Sequence, residues 1–180
     1  MIGSSHDLHS NGSDAAFELS HRLPMAAYHA AERWHPERIG ALALYCSDGR
    51  WGEAFDEFCH RHLQIPRYDR WAMPGGPAWL AGQPNDPLVQ AAHTQLDFLV
   101  KAHALERMVL ITHFGCAWYG DKLKQPPEDC LDAQFRDVER AAATLQGWYP
   151  GLAVEAFLAM RLNEWLSFHQ IELPGGRRGW

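Results

Sequence analysis

Short, continuous runs of apolar residues alternate along this chain with amphipathic stretches. The runs from Ile39 to Cys46 and from Arg107 to His113 are typical of strands buried on both faces of a parallel sheet, and Arg67 to Met73 predicts another strand between them. Leu88 to Leu105 carries its apolar residues on one stripe, which predicts a helix. This alternation of strand and helix predicts a parallel sheet with right-handed crossovers.

Further elements are predicted on both sides of these segments. Gly52 to Leu63 and Asp132 to Trp148 have the apolar spacing of helices. Leu152 to Met160 and Trp165 to Gln170 are separated by the turn-like residues 161–164, and this pattern predicts a terminal hairpin or edge strand. The predicted fold class is therefore α/β, with a mostly parallel central β-sheet that is flanked by helices.

The N-terminal part of the chain differs in composition from the rest. Residues 1–13 are polar and predict a disordered tail, and residues 175–180 predict a second tail. Asp14 to Trp34 has helical spacing interrupted by Pro24, which predicts two short helices or one kinked helix. Because neither a linker nor an internal repeat divides the chain, we expect a single α/β domain over residues 14–174 that begins with these N-terminal helices.

Composition and charge exclude several classes of protein. With 180 residues, 47% of them hydrophobic, and eight tryptophans, the chain is expected to fold around a core of its own. A net charge of −6 leaves no basic stripe for nucleic acid, and no apolar run approaches the ~20 residues that cross a bilayer. The first residues lack the cationic start and apolar core of a secretory signal. We therefore expect a cytoplasmic protein without a nucleic-acid or membrane partner.

Residues of the types that bind metals follow two of the predicted strands. The first strand ends in the sequence Cys-Ser-Asp-Gly-Arg, which supplies Cys46, Asp48 and Arg50. The third strand ends in His-Phe-Gly-Cys, which supplies His113 and Cys116. In open α/β sheets a ligand binds beyond the carboxyl ends of the strands, where these residues would converge. Two thiolates and one imidazole suit zinc and leave its fourth position open. The pattern therefore predicts one catalytic zinc ion per chain.

These two motifs resemble those of the β-class carbonic anhydrases, whose signature is Cys-x-Asp-x-Arg followed some tens of residues later by His-x-x-Cys. The resemblance covers Ile39 to Gly120 and extends more weakly to the terminal strand and helix. It implies that zinc is held by the two cysteines and the histidine of the motifs, Cys46, Cys116 and His113. It also implies a catalytic dyad of the motif's Asp and Arg, and a homodimer or tetramer in which N-terminal helices pack across the partner.

The resemblance further implies a zinc lyase that reversibly hydrates carbon dioxide to bicarbonate by a zinc-bound hydroxide. In this reaction Asp48 would accept a hydrogen bond from the hydroxide and orient it, while a bidentate pair with Arg50 would hold the carboxylate away from the metal. Asp48 could instead bind zinc and close the site, or form only a loop salt bridge with Arg50. Two other functions stay open: hydrolysis of carbon disulfide or carbonyl sulfide at the same zinc site, and a non-catalytic zinc protein with a binding role.

The chain departs from the family at two places near the expected site. Family members commonly carry Arg-Asn-Ala-Gly after the second strand, whereas here residues 70–76 read Arg-Trp-Ala-Met-Pro-Gly-Gly. Gly75 and Gly76 either form an ordinary turn or let the backbone approach the site. The family usually has small residues after the last ligand, whereas here Trp118 and Tyr119 either line or plug an apolar pocket, or pack on the following helix.

The remaining cysteines and the histidines give weaker signals. Cys59 and Cys130 have no neighbours of the kind that surround the two motif cysteines, and we predict that both are buried for structural reasons. The eleven histidines do not single out a proton shuttle.

Overall fold

The computed structural model describes residues 22–37 and 39–174. The chain divides into two units, Met1–Pro36 and Glu37–Trp180. In the described part of the first unit, residues 22–36 form turns and bends but no helix. The prediction of two short helices or one kinked helix from Asp14 to Trp34 is therefore wrong over residues 22–34. Pro24 has no N–H to donate, and a helix of about ten residues is marginal without a packing surface.

Some of the sequence predictions fall outside the described residues. Residues 14–21, for which helix is also predicted, lie outside them, as do the predicted tails at residues 1–13 and 175–180. The predicted domain over residues 14–174 stays a prediction. All the strands and α-helices of the described residues lie in the second unit.

The second unit contains a five-stranded sheet with the strand order β2-β1-β3-β4-β5. Strands β1 to β4 run parallel, and β5 pairs antiparallel with β4 at the edge of the sheet. The strand bounds are β1 Ala41–Cys46, β2 Asp69–Met73, β3 Arg107–His113, β4 Ala153–Leu162 and β5 Trp165–Ile171. This sheet confirms the predicted α/β class, the mostly parallel order and the C-terminal hairpin.

Helices connect the strands and cover the sheet. In the described residues these are α1 Gly52–Glu57, α2 Pro87–His103, α3 Ala117–Leu123 and α4 Leu131–Trp148, with a π-helical turn at Phe58–His62 and 3₁₀ turns at Gly76–Leu80 and Pro127–Cys130. The start of α2 follows a common capping pattern, because the Asp86 side chain accepts the N–H of Leu88 at 2.8 Å and Pro87 stands at the first helical position. No helix in the described residues has the length and apolarity that a bilayer crossing requires.

The central strands are buried on both faces, as their continuous apolar runs predict. Successive side chains of a strand point to opposite faces. Leu42 and Leu44 of β1 join a core layer with residues of α2 and α4, whereas Val109 and Ile111 of β3 join a second layer with residues of α1. Alternation therefore puts Cys46, at the end of β1, on the first face and His113, at the end of β3, on the second.

Candidate metal centre

Three side chains of metal-binding type meet at the carboxyl end of the sheet. Cys46 ends β1, His113 ends the neighbouring β3, and Cys116 follows three residues later, before α3. Their ligand atoms all lie within 4.8 Å of one another, and the Sγ atoms of Cys46 and Cys116 are 3.7 Å apart. All three residues are buried. The structure thus brings together the three residues that the two motifs single out.

The geometry of this group fits zinc. Two thiolates bound at ~2.3 Å to a tetrahedral ion lie about 3.8 Å apart, close to the 3.7 Å observed here. The Nδ1 atom of His113 donates to the carbonyl oxygen of Phe114 at 3.0 Å, so its Nε2 atom carries the free lone pair. That Nε2 atom is sealed from solvent and has no hydrogen-bond partner in the described part of the chain. A metal ligand position would satisfy this buried acceptor, which otherwise costs about 1–3 kcal/mol.

The two thiols of the group have different proton affinities. A hydrogen bond from Cys116 lowers the pKa of Cys46 to about 4, against burial, and the nearby backbone at Gly75 and Asp48 adds to this effect. The same bond and burial raise the pKa of Cys116. The lowered pKa favours the thiolate form of Cys46, which is the form that binds a soft metal ion.

Residues outside the two motifs hold the histidine in place. The ring of Trp51 lies 4.8 Å from that of His113, and the ring of Phe55 lies at 6.5 Å. The Nε2 atom of Gln134, which is 1% exposed, donates to the His113 carbonyl oxygen at 2.9 Å. The sequence analysis missed Gln134. A signal was available, because Gln134 is a polar residue on the same stripe of α4 as the buried Val138.

Asp48 and Arg50 form the predicted pair just beyond β1. The Nε atom of Arg50 lies 2.9 Å from Oδ1 and 3.2 Å from Oδ2 of Asp48, and the Arg50 backbone N–H reaches Oδ1 at 3.1 Å. The hydrogen bond from Arg50 lowers the pKa of Asp48 to about 2. Within the described residues, the group of three metal-binding side chains does not include Asp48. The Nη2 atom of Arg50 also donates to Oδ2, so the guanidinium engages the carboxylate in a bidentate pair.

Gly75 and Gly76 let the backbone pass close to the metal-binding group. Both have positive φ, +80° and +52°, and a Cβ on Gly76 would come within 3.0 Å of the backbone nitrogen of Cys46. A Cβ on Gly75 would lie 2.4 Å from the indole ring of Trp118. The sequence left two interpretations of this segment, an ordinary turn or a close approach of the backbone to the site. The structure favours the close approach.

The two aromatic residues after Cys116 occupy different places. Tyr119 is 3% exposed and its hydroxyl donates to Asp137 of α4 at 2.9 Å, so it packs on the following helix. Trp118 is half-buried and packs against the same small group as Cys46 and Cys116.

Cys59 and Cys130 lie outside the metal-binding group. Cys59 is fully buried in the layer beneath α1, where burial raises the pKa of its thiol to about 11. Cys130 is buried beside Tyr119, and its Sγ atom faces the Gln125 carbonyl oxygen at 3.8 Å.

A cavity of about 530 Å³ lies at the other end of the sheet. Gly40, Glu106 and Arg107 line it, next to the starts of β1 and β3. None of the residues of the metal-binding group lines this cavity. The volume of a cavity therefore does not identify the candidate site.

The sequence matches a described protein family. Residues 37–171 match the family described as "Putative carbonic anhydrase". The matched range includes both motifs, the whole sheet and the Asp48–Arg50 pair. No protein of curated function matches the chain.

The chain is also similar to solved structures of β-carbonic anhydrases. CafD of the fungus Aspergillus fumigatus is 13% identical, with 80% of this chain and 95% of that chain covered and a TM-score of 0.49. CafA of the same fungus is 14% identical, with coverages of 89% and 83% and a TM-score of 0.49. A tetrameric enzyme of Sordaria macrospora is 14% identical, with coverages of 73% and 83% and a TM-score of 0.47.

Proposed function

The chain belongs to this carbonic anhydrase family, and from that premise we propose that it is a zinc lyase that reversibly hydrates carbon dioxide to bicarbonate. The observation that carries the proposal is the buried group of Cys46, His113 and Cys116 with the Asp48–Arg50 pair beside it. The three side chains would hold one zinc ion per chain and leave its fourth position open. Bound there, zinc would supply an activated water molecule for attack on carbon dioxide.

The Asp48 carboxylate is proposed to orient the attacking water. A carboxylate only accepts hydrogen bonds, and a water molecule at the open position of the metal would donate one to it. Arg50 fixes the direction of the carboxylate through two points, Nε on Oδ1 and Nη2 on Oδ2, and balances its charge. While this pair is formed, Asp48 is held away from the metal and can accept a hydrogen bond from the water. The pair therefore favours the open site over the closed site, in which Asp48 would bind the metal.

Apolar walls around the site support a small, uncharged substrate. The rings of Trp51 and Phe55 contact His113, and the indole of Trp118 lies on the side of Cys46 and Cys116. Such walls exclude bulk water and suit carbon dioxide, and also carbon disulfide or carbonyl sulfide. The same three side chains would hold the metal for any of these substrates. The three substrates are therefore distinguished by assaying the protein with each one.

Replacement of Asp48 tests the catalytic part of the proposal. Asp48→Asn keeps the shape of the side chain but removes its charge and half of its acceptor capacity. We expect the variant to retain about one zinc ion per chain and to lose at least ~100-fold in the rate of carbon dioxide hydration. Glu53→Gln, in the first turn of α1, removes the same charge nearby and should keep the full rate. An Asp48→Asn variant with normal turnover would exclude the dyad.

We also propose that the protein is a cytoplasmic homodimer or tetramer. Residues 22–36 expose four large apolar side chains, each between 67% and 97% accessible, namely Leu23, Met25, Tyr28 and Trp34. Apolar side chains grouped this way along a short segment favour contact with another surface. The reducing conditions of the cytoplasm would keep Cys46 and Cys116 as free thiols able to bind metal.

A further inference from the structure

The helix α4 contacts the chain on both sides of the turn that joins two of the metal-binding side chains. The Nε2 atom of Gln134 donates to the carbonyl oxygen of His113, at the end of β3, at 2.9 Å. Asp137 accepts a hydrogen bond from the hydroxyl of Tyr119, in the first turn of α3, at 2.9 Å. Residues three apart on a helix lie on the same face of it. One face of α4 therefore holds the end of β3 and the start of α3.

Tyr119 couples the second of these contacts to Cys116. The backbone N–H groups of Tyr119 and Gly120 both donate to the carbonyl oxygen of Cys116, at 3.1 and 3.2 Å. Tyr119 is 3% exposed and packs in one small buried cluster with Cys46 and Cys116. A displacement of Tyr119 would therefore move Cys116 with it.

The turn between His113 and Cys116 does not fix the spacing of these two residues by itself. Its Gly115 has a φ of +72°, and a Cβ at this position would meet no atom within 4 Å. Glycine adopts this and other backbone conformations at little cost, and nothing packs against the position of its Cβ. The distance between His113 and Cys116 therefore depends on what holds the two ends of the turn.

The rest of α4 is a firm support for both contacts. Val138, Ala141 and Leu145 are 0% exposed and lie in the apolar layer that covers the first face of the sheet. A close-packed layer of this kind resists displacement. Gln134 and Asp137 are therefore held at fixed places relative to the strands.

Gln134 is not the side chain that packing alone would favour at its position. It is 1% exposed, and its Oε1 atom is sealed from solvent without a hydrogen-bond partner in the described part of the chain. An unpaired buried acceptor is unfavourable, and an unbranched apolar side chain of the same length would avoid it. The amide is explained instead by what its Nε2 atom does, which is to hold the backbone of His113.

We propose that Gln134 and Asp137 are positioning residues that set the spacing of His113 and Cys116 for zinc. This inference rests on the proposed function, because it takes these two side chains to be zinc ligands. Zinc requires its ligand atoms in a tetrahedron at ~2.0–2.3 Å. Ligands that are already held near this arrangement lose less freedom when the ion binds. The two contacts from α4 therefore raise the affinity of the site for zinc.

The zinc affinity of the full chain tests the contact to His113. Gln134→Met keeps the length of the side chain and removes its donor, and we expect the Kd for zinc to rise about 10- to 100-fold. Competition with a chromogenic chelator measures this Kd. The Tm of the metal-free protein should fall little, because the variant loses a hydrogen bond and also loses the unpaired Oε1 atom.

Val138→Ala is the matched control on the same helix. Val138 lies one turn beyond Gln134 and is 0% exposed in the apolar layer. Its truncation leaves a cavity and should lower the Tm more than Gln134→Met does. We expect it to leave the Kd for zinc unchanged, because it removes no contact to a metal-binding residue.

The contact to Tyr119 is tested by removing it from either side. Asp137→Ala and Tyr119→Phe should each raise the Kd for zinc about tenfold, and the double variant should raise it no further, because both changes remove the same hydrogen bond. Asp137→Asn keeps an oxygen that accepts the hydroxyl and should restore most of the affinity.

Cobalt(II) gives a readout of ligand geometry that does not depend on activity. Bound in place of zinc, it absorbs visible light in bands whose positions and intensities follow the arrangement of its ligands. We expect Gln134→Met and Asp137→Ala to change these bands at full occupancy, and Val138→Ala to keep the spectrum of the unmodified protein.

The outcomes separate this inference from the proposed function. If the unmodified chain binds no zinc, the proposed function fails and this inference fails with it. If the chain binds zinc, and the Kd and the cobalt spectrum are unchanged in Gln134→Met and Asp137→Ala, the positioning role is excluded and the proposed function stands. An unchanged Kd in only one of these variants excludes that residue. An equal rise of the Kd in Val138→Ala would show that zinc affinity follows the stability of the fold, and would also exclude the positioning role.

Discussion

Cys46 and Cys59 are both buried free cysteines, yet their surroundings give them opposite chemistry. A hydrogen bond from Cys116 lowers the pKa of Cys46 to about 4, whereas burial raises the pKa of Cys59 to about 11. Cys46 stands at the end of a strand beside His113, and Cys59 lies in the apolar layer under α1. A thiolate among other metal-binding groups can hold a metal, and a protonated thiol in an apolar layer cannot.

A pair of alanine substitutions tests this difference. We expect Cys46→Ala to reduce the bound zinc to well under a tenth of an ion per chain, because one of three ligands is lost. Cys59→Ala should keep the zinc and lose only the ~1–2 kcal/mol in the free energy of unfolding that a small cavity costs. Elemental analysis and thermal unfolding measure the two effects. Full zinc content in Cys46→Ala would show that the metal is held elsewhere.

At the scale of residues, the sequence predicts the members of the site but not their supports. Cys46, His113 and Cys116 were predictable because each stands at or just after the end of an apolar run, and the ends of parallel strands meet. The contact of Gln134 with His113 and the close approach of Gly75 to Trp118 depend on how α4 and the Gly75 segment pack against these strand ends. Spacing along the chain places Gln134 on the buried stripe of α4, but it does not show which group the side chain contacts.

At the scale of elements, the pattern predicts the buried strands and the longer helices that pack on the sheet, but it fails at α3 and at residues 22–34. The predicted strand from Arg107 to His113 has the bounds of β3, and α2 at Pro87–His103 lies within two residues of its prediction at each end. No pattern predicts α3, because its seven residues make only about two turns. Residues 22–34 have helical spacing without helix, since amphipathic spacing does not by itself supply a surface to pack on.

A polar contact between α1 and β2 gives the fold a measurable pH dependence. The hydroxyl of Tyr68 and the Nε atom of Arg70, the latter at 2.9 Å, both donate to Asp56 of α1. Burial raises the pKa of Asp56, but these hydrogen bonds outweigh burial, and the net effect lowers it. A carboxyl whose pKa is lower in the folded state stabilises the fold above its unfolded pKa of ~3.9 and loses that contribution as the pH falls through its folded pKa.

Asp56→Asn should therefore destabilise the protein at neutral pH and have less effect in acid. We expect a loss of about 1 kcal/mol or less in the free energy of unfolding near pH 7, because the Asp56 side chain is 37% exposed and screened by solvent. The difference from the unmodified protein should shrink as the pH falls below ~4. Glu57→Gln removes the same charge from an exposed position of α1 and is the control. Urea unfolding across the pH range measures both, and a difference that grows in acid would contradict this assignment.

At the scale of the whole molecule, the covered sheet contrasts with the exposed segment at residues 22–36. Both faces of the central strands carry packed apolar layers. Residues 22–36, by contrast, present Tyr28 at 80% and Trp34 at 85% exposure. The proposed association of chains would bury these rings.

Two substitutions in that segment test the proposed assembly. If Tyr28 and Trp34 contact a partner chain, the double variant Tyr28→Ser/Trp34→Ser should raise the Kd for association at least about tenfold. Phe98→Ser removes an equally apolar side chain, 66% exposed on α2, and should leave assembly unchanged. Analytical ultracentrifugation over a range of concentrations measures both. Monomeric behaviour of the unmodified protein at every concentration would exclude the proposed oligomer.

The most direct measurement is stopped-flow hydration of carbon dioxide by protein of known zinc content. With about one zinc ion per chain, we predict hydration well above the uncatalysed rate, rising from about pH 6.5 to 9 as the activated water loses its proton. Full zinc content with no hydration at any pH in this range would contradict the proposed function. Turnover of carbonyl sulfide or carbon disulfide by the same sample would then assign the site to the sulfur analogues, and no turnover at all would leave a zinc-binding protein without this chemistry.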